Sequence, residues 1–319
     1  MFQSSTFSCD EPPELAERHG AAVWVSPMSG RNSFPENHRL FAGFLFADRA
    51  KIVTALQSYD FVLVLGAPVF TYHVEGTGPI IPAGATLIQL IDDPAMAAWA
   101  PVGISIFTSL KAGVRELLDG PAPASRSSPA IAPRPARLGA AHMTDAYLLQ
   151  QIAALRPAGS TIVEEAPSSR TPMHDYLPIV EPDSFYTCAS GGLGFGLPAA
   201  VGVAMGKPGQ KVIAILGDGS SMYSIQGLWS AAQRGLPIAF IVIRNGKYEA
   251  LNEFGRHFRM EQLPGVDIPD LDFCGLARSQ GVSALRVTRS EELDAALQTA
   301  FESRAPMLVE VTVEQAVQQ

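Results

Sequence analysis

Cysteine is scarce: Cys9, Cys188 and Cys274 are all there is in 319 residues. They are far apart, odd in number and form no Cys-x-x-Cys pair, which excludes a disulfide-stapled scaffold and leaves free thiols in a reducing cytoplasm as the expectation. Charge is sparse as well, with Asp, Glu, Lys and Arg making up 17% of the chain and a formal net charge of −8. An acidic chain without a Lys/Arg block is poorly suited to nucleic acid or an anionic membrane surface. No apolar run approaches the roughly 18 residues that cross a bilayer. The N-terminus, MFQSSTFSCDEPPELAERHG, places acids early and has no apolar core, so it does not read as a secretory signal. Residues 1–119 lack a Gly-x-Gly-x-x-Gly fingerprint, which argues against a dinucleotide site there.

What the chain does have is apolar residues, 47% of the total, arranged in short strand-length runs separated by helical spacing. Its length exceeds that of a typical single domain and predicts two, each large enough for its own core. Residues 1–119 read as one α/β domain, with strands at Ala21–Ser26, Phe61–Leu65 and Thr86–Ile91 and helices at Pro13–His19, Asp48–Ser58 and Ser109–Leu118. Entering at a helix without an earlier strand, it reads as incomplete at its start. Residues 120–139, GPAPASRSSPAIAPRPARLG, are a Pro/Ala-rich linker that cannot bury enough surface to fold alone. Residues 140–319 read as a second α/β domain. Continuous apolar strands alternating with helices predict doubly wound parallel sheets in both.

The most informative stretch is Lys211–Gly246. An apolar run, Val212–Leu216, ends in Gly217-Asp218-Gly219; a helical segment follows; a second run, Ile238–Ile243, ends in Asn245-Gly246. Asp218 and Asn245 are 245 − 218 = 27 residues apart, about one strand-helix-strand crossover, so both fall at the carboxyl ends of neighbouring parallel strands. Gly-Asp-Gly alone is most often only a turn. A carboxylate and an amide oxygen brought together between two buried strands suit Mg²⁺ or Ca²⁺, and the glycines allow close approach of a bound anion. A second stretch, Cys188–Pro198 (CASGGLGFGLP), is a glycine-rich loop running into a buried helix, which by itself could be no more than tight packing.

With its Gly-Asp-Gly, a spacer of this length and an Asn, the chain resembles the thiamin-diphosphate-dependent 2-keto-acid decarboxylases. The resemblance extends along most of the sequence to the benzoylformate decarboxylase branch, through APVFTYH (Ala67–His73), the glycine-rich loop, GDGSSMYSIQGLW, NGKYEALNEF (Asn245–Phe254) and LPGVDIPDLDF (Leu263–Phe273). It implies thiamin diphosphate held through Mg²⁺ (or Ca²⁺) by Asp218, Asn245 and the main-chain oxygen of Lys247. It further implies diphosphate contacts around Gly217, Gly219, Ser220 and Tyr223, an aminopyrimidine held by the Gly191 carbonyl and wedged by Leu193, and a substrate pocket lined by Ala250, Leu251 and Phe254. His73 matches a histidine that carries protons, a role its ordinary pKa near 6.5 suits; the remaining histidines, His19, His38, His142, His174 and His257, have no such context and read as surface residues. The implied reaction is decarboxylation of a 2-keto acid to an aldehyde and CO₂.

Three departures qualify the match. The family's first Asn of a pair is Arg244, beside the ligating position. Pro167 and Arg170 stand where that branch has threonines, so a more polar 2-keto acid is open, with Arg170 either a solvated charge or a partner for a substrate carboxylate. The family's catalytic glutamate belongs to an N-terminal domain that the resemblance places before this chain, and Glu164 and Glu165 do not match it. The expectation is therefore a chain weakly active or inactive alone, working as a homo-oligomer or with a partner chain that supplies that domain. An acetolactate-synthase-like carboligase and a non-catalytic cofactor-binding subunit are the alternatives.

Overall fold

The structure, a computed structural model, describes residues 11–27, 29–121, 123–124, 127–260 and 263–314. Cys9 and the first half of the N-terminal stretch read above, residues 1–10, lie outside the described residues. The described residues fall into two units, one running to Pro133 and including Ile179–Asp183, the other formed by Arg134–Pro178 and the residues from Ser184 on. The division thus falls inside the Pro/Ala-rich stretch, and a short later segment joins the first unit. Glu36 explains that segment: its N–H donates to the Ile179 carbonyl and its buried carboxylate accepts the Ile179 N–H, both at 3.0 Å.

In the first unit, β1 (Val23–Val25) and β2 (Phe41–Phe44) form a parallel pair, and β3 (Phe61–Leu65), β4 (Thr86–Ile91) and β5 (Ile104–Phe107) form a three-stranded parallel sheet. One doubly wound sheet is expected from the sequence; the described strands form two, with a register slip between Val23 and Trp24. Side chains alternate across β3, so that Val62 and Val64 pack with Ile52 and Leu56, while Leu65 packs with Leu90, Leu110 and Val114. Helices therefore cover both faces, starting at side-chain caps such as Asp48, which accepts the Lys51 N–H. His38, read as a surface residue, is half-buried edge-on against Phe34 with ring centroids 5.1 Å apart, and His19 and His174 are half-buried too.

The second unit holds a six-stranded, all-parallel sheet of β6 (Thr161–Glu165), β7 (Phe185–Thr187), β8 (Val212–Gly217), β9 (Ile238–Arg244), β10 (Ser283–Val287) and β11 (Met307–Thr312) in the order β10-β11-β9-β8-β6-β7. From β6 the chain winds to the edge strand β7, then returns across β6 to β8 and continues the other way. The winding reverses between β6 and β8, where open α/β sheets leave a crevice at their carboxyl ends. Val163, Ala214, Leu216, Phe240 and Val242 pack on one face against the helices Gly196–Gly206, Gly227–Gln233 and Phe273–Ser279. Ile213, Ile215 and Ile241 alternate with them and are fully buried on the other face. Among the described residues no helix is long and apolar enough to cross a membrane.

Phe240 is fully buried on a central strand, whereas Trp99 is 80% exposed. Phe240→Ala should lower stability by about 3–5 kcal/mol and Trp99→Ala by less than about 0.5 kcal/mol, as read from denaturant midpoints.

Candidate functional site

The parallel register pairs Gly217 at the end of β8 with Ile243 near the end of β9, so Asp218 and Asn245 emerge side by side. Asp218 is only 3% exposed. Its Oδ1 accepts the Gly219 N–H at 2.7 Å, and its Oδ2 accepts the N–H groups of Asn245 at 3.1 Å and Gly246 at 2.7 Å. Burial pushes the carboxyl above its ordinary pKa; the Gly246, Gly219 and Asn245 N–H groups and the nearby Arg244 charge pull it back. A carboxylate oxygen has about two lone pairs, so these bonds saturate Oδ2 and leave Oδ1 able to take a cation. The Asn245 Oδ1 accepts one bond, from the Lys247 N–H at 3.0 Å, and keeps capacity for another. Two hard oxygens at one strand edge, with the main chain turning at Gly246 in the left-handed region (φ 71°), fit a magnesium- or calcium-type cation bridging to phosphate.

The residues after Asp218 are packed inward. A Cβ on Gly219 would run into the Tyr248 ring and Ile268, so the position admits only glycine without displacing the tyrosine. The Ser220 hydroxyl donates to the carbonyls of Glu165 at 2.6 Å and Gly217 at 3.1 Å, tying the end of β6 to the end of β8. Tyr223 is exposed, and its Cβ lies beneath Gly194, where an added Cβ would sit 3.2 Å away. The structure thus brings Gly217, Asp218, Gly219, Ser220, Tyr223, Asn245 and Lys247 to one rim.

The glycine-rich loop arrives at the same unit from β7. Gly191 is exposed with φ 71°, and Leu193 is half-buried. Sequence reasoning missed what holds this loop. The Glu165 carboxylate, at the end of β6, accepts the N–H groups of Gly194 and Gly196 at 2.5 Å each. Burial raises the Glu165 pKa against the pull of the Gly196, Gly194 and Phe195 N–H groups. Glu164, fully buried and facing the other side of the strand, accepts the Thr187 hydroxyl at 2.6 Å and Arg170 Nη2 at 2.8 Å. Arg170 is therefore neither simply solvated nor waiting for a substrate carboxylate: it neutralises Glu164, which could not stay charged and unpaired in the interior.

Ala250, Leu251 and Phe254 lie on the helix Glu249–His257, whose Ala250 N–H is accepted by the Ser168 hydroxyl at 3.2 Å. Leu251 and Phe254 are exposed. His73 lies in the first unit, exposed, its N–H donating to the Ala47 carbonyl at 2.7 Å. Arg244, at the departure from the paired asparagines, points to the fully buried Glu310 at 2.8 Å. Glu310, Asp272 and Cys274 bring potential ligand atoms within 4.8 Å of one another. Arg244 and Arg286 take the Glu310 oxygens, and two guanidinium groups there make the cluster an ion-pair network rather than a cation site.

Oxygen donors at the rim of a parallel sheet, next to its winding reversal and flanked by glycine-lined turns, are how α/β proteins hold phosphate through a divalent ion. This chain carries such an arrangement on a parallel α/β sheet, and it belongs to the thiamine pyrophosphate enzymes. Residues 8–117 match the family described as "Thiamine pyrophosphate enzyme, central domain", and residues 168–311 match "Thiamine pyrophosphate enzyme, C-terminal TPP binding domain". The chain is 41% identical over 300 residues to benzoylformate decarboxylase of Pseudomonas aeruginosa, covering 93% of this chain and 57% of that protein. It is 29% identical over 170 residues to the large subunit of acetolactate synthase isozyme 2 of Escherichia coli, covering 53% of this chain and 31% of the other. Among solved structures it is similar to the 4-hydroxybenzoylformate decarboxylase of Rhodococcus jostii, with a TM-score of 0.91, 36% identity, 96% of this chain and 58% of that one. Benzoylformate decarboxylase from Polynucleobacter necessarius gives a TM-score of 0.92 and 33% identity over 97% of this chain and 59% of its own. The chain spans a little over half the length of these decarboxylases.

The two described thiols differ in environment. Burial alone would raise Cys188, but the Ser190 hydroxyl and the N–H groups of Ser190, Gly192 and Gly191 together hold it below the ordinary thiol value. Burial and the Glu310 carboxylate push Cys274 up to about 11. At pH 8 iodoacetamide should therefore alkylate Cys188 many times faster than Cys274 in the folded protein, as read by peptide mapping, and the difference should vanish in denaturant.

Proposed function

We propose that this chain holds thiamin diphosphate through Mg²⁺ (or Ca²⁺) and serves the non-oxidative decarboxylation of a 2-keto acid of the benzoylformate type, giving an aldehyde and CO₂. The observation that carries this is the Asp218 carboxylate, fixed by three main-chain N–H groups with one oxygen left available, beside the Asn245 amide oxygen at the next strand end. In this reading Asp218, Asn245 and the Lys247 main-chain oxygen hold the ion. Gly217, Gly219, Ser220 and Tyr223 line the diphosphate. Gly191 would hold the aminopyrimidine through its carbonyl, and Leu193 would wedge against the cofactor. When bound, thiamin diphosphate supplies the carbon nucleophile and the electron sink that decarboxylation needs. Ala250, Leu251 and Phe254 present an apolar wall to the substrate, and His73 carries a proton.

Residues 1–119 serve in this proposal as the central domain, 120–139 as a linker and 140–319 as the cofactor domain. The chain spans 57% of the Pseudomonas aeruginosa enzyme, and in this proposal it works as a homo-oligomer or with a partner chain that supplies a domain carrying a catalytic glutamate. The match to an acetolactate synthase subunit supports a second reading, carboligation of the same kind of substrate.

Calorimetric titration decides the first step. The chain should bind thiamin diphosphate only with Mg²⁺ present, and Asp218→Ala should weaken that binding at least about a hundredfold, as removal of one charged ligand from a buried site implies. CO₂ release over a panel of 2-keto acids, with and without a supplied N-terminal domain, decides the second. Aryl 2-keto acids should be turned over only in the supplemented reaction, whereas condensation of two keto acids would favour the carboligase.

A further inference from the structure

β6 ends in two consecutive buried carboxylates, and because side chains alternate along a strand they face opposite ways. Each closes on one end of the same loop. Glu164 accepts the Thr187 hydroxyl where β7 ends and the loop begins, at 2.6 Å, with Arg170 neutralising it from the side. Glu165 accepts the Gly194 and Gly196 N–H groups where the loop ends and the helix Gly196–Gly206 begins. Gly196 can be nothing larger, since a Cβ there would lie 2.6 Å from the Glu165 Cβ. Between the two clamps hangs the arch Cys188–Leu193, which includes Gly191 at positive φ and is largely exposed. Glycines make such an arch pliable, and pinning both ends is what gives it one shape.

We infer that Glu165 is a positioning residue: by gripping Gly194 and Gly196 it sets the height of the Gly191–Leu193 arch, and with it the fit of the cofactor's organic half, while leaving the diphosphate half untouched. This rests on the thiamin diphosphate reading above. A carboxylate is required because it offers an acceptor on each oxygen to the two N–H groups. Glutamine keeps the size but turns an NH₂ toward one of them, leaving a donor facing a donor.

The test separates the two halves of the ligand. In the full chain, affinities for Mg²⁺ with inorganic pyrophosphate and for Mg²⁺ with thiamin diphosphate are measured by calorimetry for wild type and Glu165→Gln, together with hydrogen exchange over residues 188–196. Glu165→Gln should bind pyrophosphate within about twofold of wild type, bind thiamin diphosphate about tenfold or more weakly, and exchange faster across the loop. Thr187→Val, which releases the other clamp, should act in the same direction and carries the comparison if Glu165→Gln does not fold. Equal weakening of both ligands would show a general structural role and overturn the inference. So would unchanged thiamin diphosphate affinity, whatever the loop does. Should wild type bind neither ligand, the functional reading fails, and the hydrogen exchange alone then decides the clamp: an unaltered loop in both variants refutes it.

Discussion

The second unit is organised by a carboxylate buried at the end of a strand. Taking an ionised Asp out of water costs several kcal/mol, and three main-chain N–H groups on two neighbouring strand ends offset that cost at Asp218. The two from Asn245 and Gly246 exist only while β8 and β9 stay in register, so sheet pairing and site geometry are one constraint. The same bonds decide which oxygen remains available, since Oδ2 is saturated and Oδ1 is not. Gly219 is fixed by a separate pressure, the Tyr248 ring packed where its side chain would be.

Around that point the work divides between rigid and pliable parts. The sheet carries the oxygen donors on strand ends, where backbone hydrogen bonding limits movement to little. The glycine-rich loop and the helix Glu249–His257 carry the parts that would meet the organic portions of ligand and substrate, and side chains from strand ends and turns hold them: Glu164 and Glu165 for the loop, Ser168 for the helix. Arg244, which departs from the family's paired asparagines, is absorbed by Glu310 on β11 and leaves Asn245 beside Asp218.

The parallel strands and the Asp218–Asn245 pairing were legible in the sequence because both depend on local pattern: apolar runs of strand length, and a spacing that matches one crossover. The chain's edges were not. β2, β5 and β10 are only half-buried or exposed over most of their length, and β7 is buried but just three residues long, so none carries the continuous apolar signature of a long buried strand. The helix Glu249–His257 was seen only as part of a motif. The roles of Glu164, Glu165 and Arg170 could not be read at all, since their partners come from β7 and the following loop, and a strand too short to recognise cannot be used to place Thr187. Arg170 was open between a solvated charge and a partner for a substrate carboxylate for the same reason: nothing in the order of residues says that a strand end six positions back buries a carboxylate that needs it.

Anomalous diffraction from crystals grown with Mn²⁺ and thiamin diphosphate would put the central point to direct test. A single manganese peak at oxygen-ligand distance, about 2.1–2.2 Å, from Asp218 Oδ1, Asn245 Oδ1 and the Lys247 carbonyl, with diphosphate oxygens completing the shell, is the predicted result. A peak elsewhere, or manganese bound with Asp218 still bonded only to main-chain N–H groups, would contradict it.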